Sequence, residues 1–238
     1  MDVSVVIPIY NARTMVEEAV RRLSRVLTAK QWDYEILLRD DGSSNDVRSV
    51  FRKIEAGCPR VKCSYNLSNQ GLGATLRALF ELAQGRHVIY CDCDLPFGED
   101  IVTGLMEHLH NYDIVVASRY KGGLNPACGL RLIISRLYYF FCRLLFNMPV
   151  VDIGSGSLAI RRSALQKLDL KARGFAIHAE LFVRAAAHGL SIKEIPAQTS
   201  RHAQNSLYIL KHGPSIIFET LCLRAWLFDG RIKVKRTK

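Results

Sequence analysis

His87-Val88-Ile89-Tyr90-Cys91-Asp92-Cys93-Asp94 is the stretch on which the reading of this chain turns. Its short apolar run has the pattern of a strand covered on both faces, and it delivers two carboxylates at its end. Alternation along an extended segment puts Asp92 and Asp94 on one side and turns Cys93 toward the core. Similar runs at 3–7, 34–38, 61–65 and 114–117 read as further strands. Between them lie helical patterns. Val16, Val20, Leu23 and Leu27 form one apolar stripe, and Thr14-x-x-Glu17 reads as its capping box. Val47, Val50, Phe51 and Ile54 share a second face, with Ser44 or Asn45 as the expected N-cap. Leu72, Leu76, Leu79, Phe80 and Ala83 form a third face, with Gly85 as its stop, and Ile101, Leu105 and Leu109 form a fourth. This rhythm predicts an α/β fold: a mostly parallel, Rossmann-like central sheet with helices on both faces. Such sheets bind ligands beyond the carboxyl ends of their strands, where Tyr10-Asn11, Asp40-Asp41, Asp92-x-Asp94 and Ser118-Arg119 all fall.

The 238 residues suit one large α/β domain, or one with a short appendage, and the composition is that of a globular chain. No uninterrupted apolar run is long enough for a transmembrane helix, and the N-terminus reads as a strand, not a signal peptide. Seven cysteines without a Cys-x-x-Cys pair suggest reduced, mostly buried thiols in a cytosolic protein. The net charge of +11 is unevenly placed: residues 1–118 carry a net −3 and residues 119–238 a net +14. The basic half faces an anion, which composition alone leaves as a nucleic acid, a phosphorylated small molecule or an anionic membrane.

Asp92 and Asp94 suit Mg²⁺ or Mn²⁺, hard cations that take oxygen ligands and bridge to phosphate; two solvated loop aspartates are the bland alternative. Asp40-Asp41-Gly42-Ser43 either hydrogen-bonds a nucleoside or forms a plain turn before a helix. Asn69-Gln70-Gly71-Leu72-Gly73 opens a helix with two glycines, where backbone can approach a ligand closely. It is neither a dinucleotide fingerprint, since Leu76 stands at the third glycine's place, nor a P-loop.

These segments together resemble the inverting glycosyltransferases of family 2, with their GT-A fold. The family's Pro-x-Tyr-Asn strand end is here Pro8-Ile9-Tyr10-Asn11. It is followed in order by the Asp-Asp-Gly-Ser turn, the Asn-x-Gly-x-Gly helix start and the Asp-x-Asp. Further on, Ser118-Arg119-Tyr120-x-Gly-Gly, Arg131, Ser135-Arg136, Asp152-x-Gly-Ser-Gly, Glu194-Ile195-Pro196 and Arg201-x-x-x-x-Ser206 look like the dolichol-phosphate mannose synthase group. The resemblance covers roughly residues 3–210. It implies a catalytic domain over 1–210, with a nucleotide-sugar half at 1–118 and an acceptor half at 119–210, and then an amphipathic helix and basic tail at 211–238.

The resemblance further implies transfer of a hexose from a nucleotide sugar, GDP-mannose or UDP-glucose, to a polyprenyl phosphate. Pro8, Tyr10, Asn11, Asp40, Asp41, Gly71 and Cys93 would lie at the nucleotide. Asp92 and Asp94 would hold the metal. Arg119, Arg131, Ser135, Arg201 and Ser206 would meet the acceptor phosphate, with Arg119 and Arg131 joining the two aspartates in catalysis. The chain departs from the group at Ala12, Pro96, Gln204 and Leu207. A polyprenyl phosphate is already an oxyanion and needs no general base, which suits a sequence with no His or Glu evidently tied to the Asp-x-Asp. Nucleic acid is disfavoured as partner, because the aspartates would repel its phosphates unless a metal intervened.

Two stretches bear on the membrane. Residues 130–146 hold Arg131, Arg136 and Arg143 among apolar and aromatic residues, too few to span a bilayer but suited to lying in its interface. Residues 215–228, with Trp226 and the basic tail behind them, are a second candidate. Packing against the domain is the alternative for each. The expected location is the cytoplasmic face of a membrane, with room for a separate membrane subunit as anchor. Glu180 is expected to orient the sugar or an arginine, and His178 to be structural.

Overall fold

The computed structural model describes residues 1–121, 130–146, 148–199 and 206–226. The elements run β1 (Val3–Ile9), α1 (Val16–Ala29), β2 (Tyr34–Asp40), α2 (Val47–Gly57), β3 (Val61–Tyr65), α3 (Leu72–Leu82), β4 (His87–Cys91), α4 (Ile101–His108) and β5 (Ile114–Ser118). Then follow α5 (Leu130–Phe146), β6 (Ser157–Arg161), α6 (Arg162–Leu165), α7 (Ile177–Ala187), β7 (Ile192–Pro196) and α8 (Ser206–Trp226).

A seven-stranded sheet has the order β3-β2-β1-β4-β6-β5-β7. β1 pairs in parallel with β2 and β4, β2 with β3, and β5 with β7. β6 is the exception: it lies antiparallel between β4 and β5. The alternating reading of the first half gave no sign of it.

Strand alternation divides the core in two. Val3, Val5, Ile7 and Ile9 point to one face, under Val16, Leu23 and Leu27 of α1, Phe51 of α2 and Leu105 of α4. Val6 points to the other, with Leu76 and Leu79 of α3 and Phe182 of α7. Each strand of this kind is apolar on both sides because both sides are covered.

Three local expectations change. α1 begins after Met15 without a side-chain cap, so Thr14-x-x-Glu17 is not a capping box. The cap of α2 is Asp46, whose carboxylate accepts from the Ser49 N–H, rather than Ser44 or Asn45. Gly85 does not end α3, whose C-cap is Ala83. It sits where a Cβ would strike the backbone of Val3 and Ser4, so its role is the close approach of α3's exit to β1.

The two candidate interface stretches pack against each other and remain half open. The Tyr138 hydroxyl of α5 meets Thr220 Oγ1 of α8 at 3.1 Å, and Cys142 and Leu223 are buried. On α5, Ile133, Leu137, Phe140 and Leu144 are 56 %, 63 %, 59 % and 85 % exposed, a stripe at helical spacing turned away from the domain. On α8, Ile217, Phe218, Leu221 and Trp226 are exposed as well. Among the described residues, no helix is long and apolar enough to cross a membrane.

Phe51 is fully buried and its ring lies 5.4 Å from that of Tyr65, so it joins α2 to β3. Phe51→Ala is expected to lower stability by roughly 3–5 kcal/mol, through lost transfer energy and a residual cavity. Urea unfolding measures it, and a change below about 1 kcal/mol would contradict the packing described.

Candidate active site

The parallel strands end at one edge of the sheet, and β6 begins there because it runs the opposite way: Ser157 pairs with Cys91. The loop entering β6, residues 152–156, therefore meets the segment leaving β4. Four strand ends and one strand start converge on the Asp-x-Asp.

Asp92 is held on several sides. Its N–H donates to the Gly156 carbonyl at 2.8 Å, and the Tyr90 hydroxyl donates to its Oδ1. Gly156 has φ +75°, and a Cβ there would collide with Asp92 Oδ2. The chain then turns sharply: the Leu95 N–H donates to the Asp92 carbonyl at 3.0 Å, and Leu95 itself has φ +44° with its side chain buried. Asp94 is exposed and Cys93 is in the core. Burial pushes the Asp92 carboxyl up to about 7 against the Tyr90 hydrogen bond, and the neighbouring Asp94 charge adds to the rise. Burial and a neighbouring negative charge that oppose the ionisation of Asp92 make a site that a cation relieves.

Arg119, at the end of β5, is clamped by Asp152. Its Nε donates to Oδ2 at 2.9 Å, its Nη2 to Oδ1 at 2.6 Å, and its backbone N–H to Oδ2 at 2.8 Å. Nη2 also reaches the Gly154 carbonyl at 2.7 Å. Asp152 is buried, and Glu194 of β7 accepts from the Val151 and Asp152 N–H groups at 3.1 and 3.0 Å. The guanidinium that the resemblance assigns to a phosphate is thus fixed by protein first, and its charge opposes the rise at Asp92.

On the other side, Asp40 accepts from the Ser43 N–H and hydroxyl. Asn11, with φ +52°, accepts on Oδ1 from the Ser44 N–H at 2.9 Å, which ties the end of β1 to the Asp-Asp-Gly-Ser turn. Asp41 faces inward. It accepts from Asn66 Nδ2 at 2.7 Å, the Gln70 N–H at 2.8 Å and the Gly71 N–H at 3.0 Å, so it holds the start of α3 in place. Gly71 has φ +93°, and a Cβ there would strike the Arg173 carbonyl. Tyr10 is exposed at the strand end and Pro8 lies one turn of the pleat below it. A polar cleft of about 300 Å³, lined by Asp40, Ser43, Arg48 and Asn66 among others, opens beside the turn.

Ser135 is on α5 with its hydroxyl against that of Tyr120. Arg131, Ser206 and Leu207 lie on α5 and α8 where the side chains are outside the described residues, and Arg201, Gln204 and the tail 227–238 are also outside them. Glu180 is buried and accepts from the Lys171 and Ala172 N–H groups and from Arg184 Nε at 2.7 Å, the arginine of the two expected partners. His178 is buried beside Tyr90, and burial pulls its imidazole down to about 4. Tyr90 belongs to the site without being part of any of its motifs; the signal for it is the two-residue period of β4, which puts it on the side of Asp92.

The family model for glycosyl transferase family 2 matches residues 4–169, which include the ends of β1, β2, β4 and β5 and the start of β6. The chain belongs to that family. As a family 2 glycosyltransferase it is 29 % identical over 96 % of its length to the polyprenol monophosphomannose synthase of Mycolicibacterium smegmatis, covering 88 % of that protein. It is 29 % identical over 77 % of its length to the dolichol-phosphate mannosyltransferase of Pyrococcus furiosus, and spans about half, 53 %, of that relative. Its fold is that of glucosyl-3-phosphoglycerate synthase from Mycobacterium tuberculosis, a structure solved with Mn²⁺ and UDP-glucose (TM-score 0.71, 22 % identity, 94 % of this chain and 79 % of that one). The GT-A architecture is thereby established for this family 2 enzyme.

Gly156→Ala is expected to lower the unfolding temperature. The left-handed backbone alone costs roughly 1–2 kcal/mol in a residue with a Cβ, and the clash with Asp92 adds to that. Gly154→Ala, where a Cβ meets nothing, is the neutral control. Equal melting temperatures for the two variants would contradict the fit around Asp92.

Proposed function

We propose that this chain transfers a hexose, with inversion, from a nucleotide sugar to a polyprenyl phosphate at a membrane surface, with GDP-mannose as first donor and UDP-glucose as second. The observation that carries the reading is the pair Asp92 and Asp94 at the ligand-binding edge of the sheet, in a chain whose other half is strongly basic. The relatives named for polyprenol and dolichol phosphates support that acceptor class.

The two carboxylates fit a divalent cation. Their oxygens are hard donors, and Gly156 leaves Asp92 Oδ2 the space that any other residue's Cβ would take. Among the described residues no group of three His, Cys, Asp or Glu is gathered for a metal, so Asp92 and Asp94 are the protein ligands proposed here. Mg²⁺ or Mn²⁺ held there would supply positive charge to the leaving diphosphate. Pro8, Tyr10, Asn11 and Asp40 line the end of the sheet that receives the nucleoside; Asp41 and Gly71 shape it from behind. Arg119, fixed beside Asp92 by Asp152, presents permanent positive charge to the acceptor phosphate, aided by Arg131, Ser135, Arg201 and Ser206. The acceptor oxygen arrives ionised, so the chain's work is to bring two anions together and keep water out, not to remove a proton.

The exposed apolar stripes of α5 and α8 lie beside Arg136 and Arg143, an arrangement suited to the interface of an anionic leaflet. The reading takes the chain to work at the cytoplasmic face of a membrane, with or without an anchoring subunit.

Three outcomes follow. Asp94→Ala is expected to abolish sugar transfer and leave flotation with anionic vesicles intact; unchanged transfer would refute the metal assignment. Leu137→Glu with Leu144→Glu should do the reverse, losing flotation while the protein still binds the donor nucleotide. The third concerns pH. The Asp92 carboxyl stands near 7 in the folded chain against 3.8 for an ordinary aspartate, so in the absence of metal the fold loses stability as pH rises through that interval. Because a metal binds the deprotonated form, the rise in melting temperature on adding Mn²⁺ should be larger at pH 8 than at pH 6. Equal rises would contradict this site.

A further inference from the structure

Tyr90 carries a hydroxyl into an otherwise largely apolar part of the core. Its ring is 1 % exposed and lies among Val6, Leu37, Val88 and Leu158 on the face covered by α3 and α7. For packing alone a phenylalanine would serve. The hydroxyl instead points up β4 toward the ligand edge, and the partner it meets there is Asp92 Oδ1. Geometry makes this pairing natural, because residues two apart on a strand share a face. His178 fixes the other side: its imidazole stacks on the Tyr90 ring, with centroids 5.6 Å apart and planes 29° apart. His178 is held in turn by α7, which is buried from Ile177 to Ala185. The ring therefore has little freedom to rotate its hydroxyl away.

We propose that Tyr90 is a positioning residue for the cation site: its hydroxyl engages Asp92 Oδ1 and so fixes the carboxylate, leaving Oδ2 as the oxygen offered to the cation. This inference rests on the metal reading of Asp92 and Asp94 given above. The two oxygens of Asp92 then have separate tasks. Oδ1 is occupied by protein, and Oδ2 lies in the space left by the missing Cβ of Gly156. A carboxylate free to rotate would present either oxygen and spend part of its time turned away. Hydrogen bonds from outside the coordination shell that orient a ligand commonly alter metal affinity by about 10–100-fold.

Tyr90→Phe keeps the ring and its stack on His178 and removes only the hydroxyl. The probe is Mn²⁺, titrated into wild type, Tyr90→Phe and Asp92→Ala, with free ion followed by electron paramagnetic resonance. The titrations are run with saturating GDP and again with UDP, so that neither sugar nor acceptor enters. Tyr90→Phe is expected to bind Mn²⁺ about 10–100-fold more weakly, and its transfer activity to recover when Mn²⁺ is raised in proportion. A purely structural role would depress activity at every Mn²⁺ concentration, and that pattern overturns the proposal. So does a Tyr90→Phe protein that fails to fold. Wild-type affinity in Tyr90→Phe, with binding lost in Asp92→Ala, overturns the role of Tyr90 and leaves the metal site standing. Absence of Mn²⁺ binding in wild type with either nucleotide overturns both.

Discussion

Everything at the working edge of this protein depends on how Asp92 is held. Its N–H donates to the Gly156 carbonyl, and its carboxylate lies against a residue that can have no side chain. That contact exists because β6 enters the sheet antiparallel beside β4, with Ser157 opposite Cys91. The same reversal brings Asp152 to Arg119, and Glu194 of β7 fixes the Asp152 backbone from the next strand but one. One strand inserted against the direction of its neighbours thus assembles three acidic groups and one arginine from four separate parts of the chain.

Much of the fold was legible. Apolar runs such as 3–7 and 87–91 mark strands covered on both faces, and the stripe Val16, Val20, Leu23, Leu27 is buried as its spacing requires. The polar strand ends were legible too, since their residue types are wrong for a core. β6 and β7 were not: Ser157–Arg161 and Ile192–Pro196 are short and mixed in polarity, so neither reads as a strand, and the antiparallel direction of β6 is a property of pairing that its sequence does not carry. Capping was misread for a local reason: Thr14 and Ser44 are good caps by type, but Asp46 lies nearer the first helical turn of α2, and α1 starts one residue after Thr14 would allow. Asp41 shows a different limit. A carboxylate beside a glycine turn could equally face a ligand or the backbone, and only the folded position of Gln70 and Gly71 decides for the backbone.

The uneven charge of the chain acquires a physical meaning in this arrangement. The slightly acidic half supplies the strand ends with their carboxylates, and the basic half supplies Arg119 and the helices α5 and α8. The proposed transfer joins an anionic acceptor to an anionic donor, and so has an electrostatic task before it has a chemical one. Fixing Arg119 with Asp152 keeps a cation in place at no cost in reorganisation when the anions arrive. The apolar stripes of α5 and α8 lie beside that charge, and under the proposed function they are the surface at which a lipid acceptor is met.

The account is tested most directly by the product itself. The purified chain is incubated with GDP-mannose, polyprenyl phosphate vesicles and Mn²⁺, and the lipid is examined by mass spectrometry and by NMR of the anomeric centre, with a matched reaction in chelator. The account predicts a hexosyl phospholipid of inverted, β configuration, formed with Mn²⁺ and absent with chelator. A product of retained configuration, or equal yield in chelator, would contradict it.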